Sequence, residues 1–203
     1  SIDEAIYDTW LFEIYKTDKI APRKGDVILS GGAFYGETTV WFASQIGEKG
    51  HIYALEPLVY AKEYIDKNVE QNNLQNIVSS FNYALWNETK TIFIKDKQLS
   101  SECVEANGIM PVQGITIDDF MRNKGITKLD FIKLDIEGAE INALQGAVES
   151  ICKYRPRLAI SIYHRVDDII KIPKFIRSLC PEYKLYFSHK SMHWADTVLF
   201  ACI

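Results

Sequence analysis

The sequence predicts an α/β, doubly wound fold: a mostly parallel sheet with helices on both faces and a reversed last strand. Three observations support this. Apolar runs of strand length alternate with stretches whose apolar residues recur at helical spacing, the rhythm of consecutive βαβ units. The first run, Asp26 to Ser30, ends in glycines at 31, 32 and 36 and passes into a helical pattern through Thr39, Val40, Phe42 and Ala43. The last two runs, Tyr183–Phe187 and Thr197–Ile203, are joined by only nine residues, 188–196. A parallel crossover needs about a dozen or more, so these two should pair as an antiparallel hairpin.

In chain order, residues 3–16 place Ile6, Trp10, Leu11, Ile14 and Tyr15 at helical spacing ahead of Pro22, predicting a lid or packing helix. The first strand, glycine turn and helix follow, the helix ending near Gly47 and Gly50. His51–Leu55 is the second strand, with Glu56-Pro57 at its tip, and residues 58–71 form a helix that leaves through Asn72-Asn73. Ile77–Phe81 is the third strand and Thr91–Lys95 a short extra one, while residues 96–113, with Gly108 and Pro111, read as an irregular loop beside the site. A helix then starts near Asp118 or Asp119, either of which suits an N-cap. Leu129–Asp135 is the fourth core strand, followed by a helix ending near Lys153. Arg157–Tyr163 is the fifth strand, and Val166–Leu179 a helix broken near Pro173.

At 203 residues and 47% hydrophobic, the chain suits one domain. A net charge of −4 with no basic run gives no reason to expect a nucleic-acid partner. No apolar stretch reaches the roughly 18 residues of a membrane span, and no leader pattern opens the chain, so a soluble, cytoplasmic protein without a membrane partner is expected. The first residue is Ser1, which fits a piece of something longer. Cys103, Cys152, Cys180 and Cys202 show no C-x-x-C spacing and read as reduced, structural thiols.

The glycine turn suits a nucleotide-like ligand, because glycines let the backbone approach closely and the opening helix turn presents unpaired N–H groups. Glu56 lies twenty positions after Gly36, where a carboxylate grips ribose hydroxyls in doubly wound folds. The pattern G-x-G-x-x-G is not met, since Ala33 stands at the middle glycine. A plain packing turn and an NAD-dependent oxidoreductase remain compatible with these features.

Several blocks in register narrow the reading. Gly32-Ala33-x-x-Gly36-Glu37, Leu55-Glu56-Pro57, Asn82-x-Ala84-Leu85, Ile115-Thr-Ile-Asp-Asp-Phe120 and Asp130-Phe-Ile-Lys-Leu-Asp-Ile-Glu-Gly-Ala-Glu140 together resemble the FkbM family of S-adenosylmethionine-dependent methyltransferases. The resemblance runs from about residue 25 to the C-terminus. It implies the class I methyltransferase fold, Rossmann-like, with a seven-stranded sheet whose last strand is antiparallel. It also implies S-adenosyl-L-methionine as cofactor and methyl transfer mostly to oxygen on small molecules or glycans. Residues 1–203 then form a single methyltransferase domain, with an N-terminal helical lid over 1–24 and a catalytic core over 25–203, acting as a monomer or homodimer.

Carried over by position, Gly32, Ala33 and Gly36 would line the methionine and ribose part of the cofactor. Glu56, followed by Pro57, would hold the ribose hydroxyls, and Tyr83 and Ala84 would edge the adenine. Asp135 and Glu137 would sit near the methionyl amine and the substrate mouth. The sequence departs from the family at Ser30, where an Asp is usual, and at Phe34, where a small or polar residue is usual. The missing carboxylate fits weaker cofactor binding, so a fold kept without turnover is a second rival.

Hydroxyl methylation needs alignment, a dry pocket and a base. The base candidates are His164, which follows the fifth strand on the binding edge, then His189 in the hairpin loop, with Asp135 and Glu137 at the fourth strand's tip. Asp135 and Glu137 also suit a helix cap and helix dipole. His193 and Trp194 share the hairpin loop, and Tyr35, Trp41 and Trp86 read as core or cofactor-wall aromatics. Asp135 and His164 alone are too few ligands to predict a metal, and none is expected.

Overall fold

Residues 6–96, 101–105, 108–190 and 196–203 are described in a computed structural model of the chain. After a π-helical turn at Tyr7–Leu11, strand and helix alternate: β1 (Val27–Gly31), α1 (Glu37–Ile46), β2 (His51–Leu55), α2 (Val59–Gln71) and β3 (Val78–Phe81). Then come β4 (Ala84–Leu85), β5 (Thr91–Asp96), β6 (Ser101–Val104), β7 (Met110–Ile115) and α3 (Ile117–Asn123). The chain ends with β8 (Phe131–Leu134), α4 (Glu140–Gln145), α5 (Val148–Tyr154), β9 (Arg157–Ser161), α6 (Asp168–Leu179), β10 (Lys184–His189) and β11 (Thr197–Cys202).

The main sheet has seven strands in the order β10-β11-β9-β8-β1-β2-β3. The five from β3 to β9 pair in parallel, and β11 runs antiparallel to both β9 and β10, as the short connection requires. Alternate side chains of each parallel strand enter opposite cores. Ile28, Ile52 and Phe131 pack on one face with Phe42, Ile46 and Ile65, whereas Leu29, Leu55 and Ile132 pack on the other with Phe120, Ile151 and Ile176. Each such side chain contributes about 1.5–3 kcal/mol when fully buried. Seven strands, a reversed terminal strand and helices on both faces make the expected class I methyltransferase architecture. The four cysteines are free.

The structure corrects several boundaries. The segment 96–113 is not an irregular loop where it is described: β6 and β7 pair with β5, and β7 pairs with β4, in a second sheet ordered β4-β7-β5-β6. Helix over 3–16 does not extend past Leu11, because Glu13 takes φ +47° and turns the chain so that Ile14 and Tyr15 become buried. Thr116 caps α3 rather than Asp118 or Asp119: its hydroxyl accepts from the Asp119 N–H at 2.9 Å. Asp118 instead accepts from the N–H groups of Glu149 and Ser150 at 3.0 and 2.8 Å, serving α5. The helix after β8 is split at Gly146, where a Cβ would lie 2.2 Å from the Trp86 carbonyl. Helix α6 continues through Pro173, which leaves only the carbonyl of exposed Ile169 without its usual donor.

Candidate active site

The carboxyl ends of β1, β2 and β8 meet at one crevice. β1 pairs with β2 on one side and β8 on the other, so the residues following Gly31, Leu55 and Leu134 emerge together. At Gly32 the backbone has φ +70°, and a Cβ would lie 1.8 Å from the Asp135 carbonyl oxygen, so only glycine fits. Its N–H donates to the Leu55 carbonyl at 3.0 Å. Gly36, at φ +92°, N-caps α1, and as a glycine it makes no side-chain capping bond.

Glu56 is 5% exposed. Its two oxygens accept from the N–H of Phe34 and of Leu58, both at 3.0 Å, which ties the glycine turn to the tip of β2. Burial raises its pKa to about 7, against the lowering effect of those two donors and of Lys133. The side-chain amide of Asn82 donates to the Glu56 carbonyl at 3.2 Å and brings the end of β3 to the same edge.

The second centre is Asp135, just past β8. It accepts from the hydroxyl of Tyr15 at 2.7 Å and that of Tyr163 at 3.0 Å, with Lys133 Nζ at 3.9 Å and His164 Nε2 at 3.5 Å. Burial alone would raise its pKa, but Lys133, His164 and the Tyr15 hydroxyl hold it at about 2. Lys133 is itself buried in β8, and its ammonium donates to the carbonyls of Gly31 and Gly32 at 3.2 and 2.7 Å. His164 lies against three carboxylates: Glu140 at 2.9 Å, Asp135 at 3.5 Å and Glu137 at 3.6 Å. Burial opposes its charge, yet these carboxylates raise its pKa to about 9. An imidazole so held carries its proton at neutral pH and is no base in that state.

Of the residues singled out from the sequence, Gly32, Ala33, Gly36, Glu56 and Asp135 with Glu137 and His164 fall on this crevice or its rim. Pro57 follows Glu56 and opens the turn into α2. Ser30 is fully buried in β1 beside Lys133 in register, and its hydroxyl has no hydrogen-bond partner. Tyr83 packs on Phe81 and Phe120, and Ala84 is buried in β4. His189 is exposed at the end of β10, its Nδ1 2.9 Å from the Thr197 hydroxyl, and it does not join the Asp135 group. Its placement in the hairpin loop is corrected by this pairing. His193 and Trp194 lie outside the described residues. Trp41 and Trp86 are core, while Phe34 is 41% exposed and lies tilted against Tyr35 with ring centroids 3.9 Å apart.

Tyr15, Lys133, Glu140 and Tyr163 are additions that sequence reasoning did not single out. Lys133 had a signal, a charge with apolar neighbours on both sides in the fourth core strand. Tyr15 had none, since its partner lies 120 residues away. Beside the crevice, a groove of about 380 Å³ is lined by Ile6, Trp10, Tyr35, Glu37, Asn68 and Asn72 among others. Burial raises the pKa of Glu37, which also feels Lys133 and Asp135, so groove and crevice adjoin.

Against this geometry stand the comparisons with known proteins. The methyltransferase FkbM domain matches residues 25–184. The chain belongs to the FkbM methyltransferase family. A structure of methyltransferase FkbM from Methylobacillus flagellatus superposes with a TM-score of 0.77 at 22% identity, over 94% of this chain and 47% of that one. The chain thus spans about half the length of that FkbM structure. Aeropyrum pernix fibrillarin, solved with natively bound S-adenosyl-L-methionine, superposes at 0.60 with 13% identity, over 94% and 72%. A SAM-dependent O-methyltransferase from Thermotoga maritima superposes at 0.51 with 13% identity, over 97% and 70%. No curated protein sequence matches significantly.

S-adenosyl-L-methionine is the methyl donor of this family, and the FkbM crevice fits it. The backbone cradle at Gly32 tolerates no side chain, Glu56 sets a carboxyl at the tip of β2, and ionised Asp135 offsets the cationic cofactor's charge.

Proposed function

We propose that this FkbM-family chain methylates a hydroxyl on a small molecule or glycan, using S-adenosyl-L-methionine. The observation that supports this most is the meeting of two differently tuned acidic centres at one sheet edge. Glu56, buried and bound by two N–H groups, suits a neutral diol. Glu137, at the rim beside the His164 imidazole and the ionised Asp135, suits a hydroxyl that must lose a proton.

When bound, the cofactor supplies an electrophilic methyl group on a sulfonium. The rest is alignment, a dry crevice and proton removal. Gly32, Ala33 and Gly36 would receive the methionine and ribose part, and Glu56 would accept from the ribose hydroxyls. Tyr83 and Ala84 would edge the adenine. Asp135 has too low a pKa to be an efficient base. Glu137 has its side chain 44% exposed at the rim, 3.6 Å from His164, and is the group we assign to proton removal, with His164 positioning it. The groove volume is in the range of sites for small ligands, about 300–1,000 Å³, and its mix of Trp10, Tyr35, Asn68 and Asn72 suits a sugar face and its hydroxyls.

The test is a transfer assay with labelled S-adenosylmethionine against panels of glycans and of hydroxylated, amino and thiol acceptors. Label in an alkali-stable O-methyl ether is expected. Label confined to nitrogen or sulfur acceptors would contradict the assignment.

A further inference from the structure

We infer that Asp135, Glu140 and His164 form a site for a divalent first-row metal ion at the acceptor end of the crevice. One donor atom from each lies within 4.8 Å of the other two. Donors held at about 2.1 Å around an octahedral ion stand about 3 Å apart when adjacent and about 4.2 Å when opposite. From the Nε2 of His164, Asp135 Oδ1 stands at 3.5 Å, between those two values.

A second observation is independent of this spacing. Glu140 is fully buried, and its Oε2 has no hydrogen-bond partner. The Nδ1 of His164, on a side chain only 8% exposed, also has none, although Glu140 Oε1 is 2.9 Å away. A buried carboxylate oxygen left without a partner is costly.

The carboxylates are also oriented from behind, as ligating groups usually are. Tyr15 and Tyr163 each donate to one oxygen of Asp135, and the Ile136 N–H donates to Glu140 Oε1 at 2.8 Å. The partly exposed side chains of Asp135 and Glu137 mark the open side, toward the crevice. Two carboxylates with one imidazole suit Mn²⁺, Fe²⁺ or Zn²⁺, the ion taking the place of the proton that His164 otherwise carries and releasing it to solvent. On the methyl-transfer reading, such an ion would hold the acceptor oxygen and favour its deprotonated form, with Glu137 beside it. The sequence offered two of the three ligands, and Glu140 completes the set because it opens α4 directly beneath the tip of β8.

The test is Mn²⁺ binding to metal-stripped protein, followed by the loss of the free-ion spin-resonance signal. One saturable equivalent per chain is expected, with at least tenfold weaker binding in Glu140→Gln and His164→Ala variants whose circular dichroism matches wild type. Asp66→Asn, an exposed acid on α2, should bind as wild type does. Wild-type protein showing no saturable binding up to about 1 mM overturns the site, whatever the variants do. So does undiminished binding in folded variants. Titration of the same samples with S-adenosylhomocysteine separates this inference from the cofactor reading: a chain that binds the nucleoside but not Mn²⁺ refutes the metal site alone.

Discussion

Lowering the pH from 8 to 6 should release the cofactor through Glu56. In the free protein this carboxyl titrates near 7, because burial raises its pKa more than the Phe34 and Leu58 N–H groups lower it. A ribose diol donates hydrogen bonds and so favours the carboxylate, which means that binding expels a proton whenever Glu56 carries one. Affinity is then flat well above pH 7 and falls below it. The dissociation constant rises about twofold at pH 7 and about tenfold at pH 6, the latter equal to about 1.4 kcal/mol. Folding shows the same group with the sign worked out. The unfolded carboxyl ionises near the ordinary 4.5 and the folded one only near 7, so stability declines across that window as pH rises. The loss is about 3 kcal/mol. Calorimetric titration with S-adenosylhomocysteine at pH 8, 7 and 6 reads the binding effect, and Glu56→Gln should bind weakly at every pH with no slope. A flat wild-type profile, or an equal slope in Glu56→Gln, would refute the assignment of the diol to Glu56.

Three further outcomes follow from the packing. Gly32→Ala places a methyl group 1.8 Å from the Asp135 carbonyl at φ +70°, and should cost about 2–4 kcal/mol in urea unfolding and abolish nucleoside binding. Tyr15→Phe removes the 2.7 Å hydrogen bond to an ionised Asp135 and should cost about 1.5–3 kcal/mol by the same measurement. Ser30→Ala removes a buried hydroxyl without a partner, and should raise stability by about 1 kcal/mol with unchanged binding of S-adenosylhomocysteine. Weaker binding in that variant would show Ser30 to be a cofactor contact.

What the sequence reveals of this fold follows the range of the forces involved. The β1 turn was legible because three glycines within six residues have few uses besides a tight, ligand-facing bend. The reversed strand was legible because 188–196 is too short for any other path. Residues 110–113 were not, because Gly108 and Pro111 read as loop while β5 supplies the pairing that makes them a strand. The site divides in the same way. Glu56 and Asp135 stand at strand tips that local pattern marks. Tyr15 reaches Asp135 only because Glu13 turns the chain and Lys190 of the distant hairpin clasps the carbonyls of Glu13 and Lys16. The pull on His164 was equally invisible, since three carboxylates from one short turn converge on it only once β8 and β9 are paired.

The central claim is that one crevice at the ends of β1, β2 and β8 receives an adenosyl sulfonium. A crystal structure of the chain with S-adenosylhomocysteine tests it most directly. The account predicts both ribose hydroxyls within hydrogen-bond distance of Glu56 and the methionyl part passing over Gly32 toward Asp135. A nucleoside bound elsewhere, or one whose ribose lies beyond reach of Glu56, would contradict it.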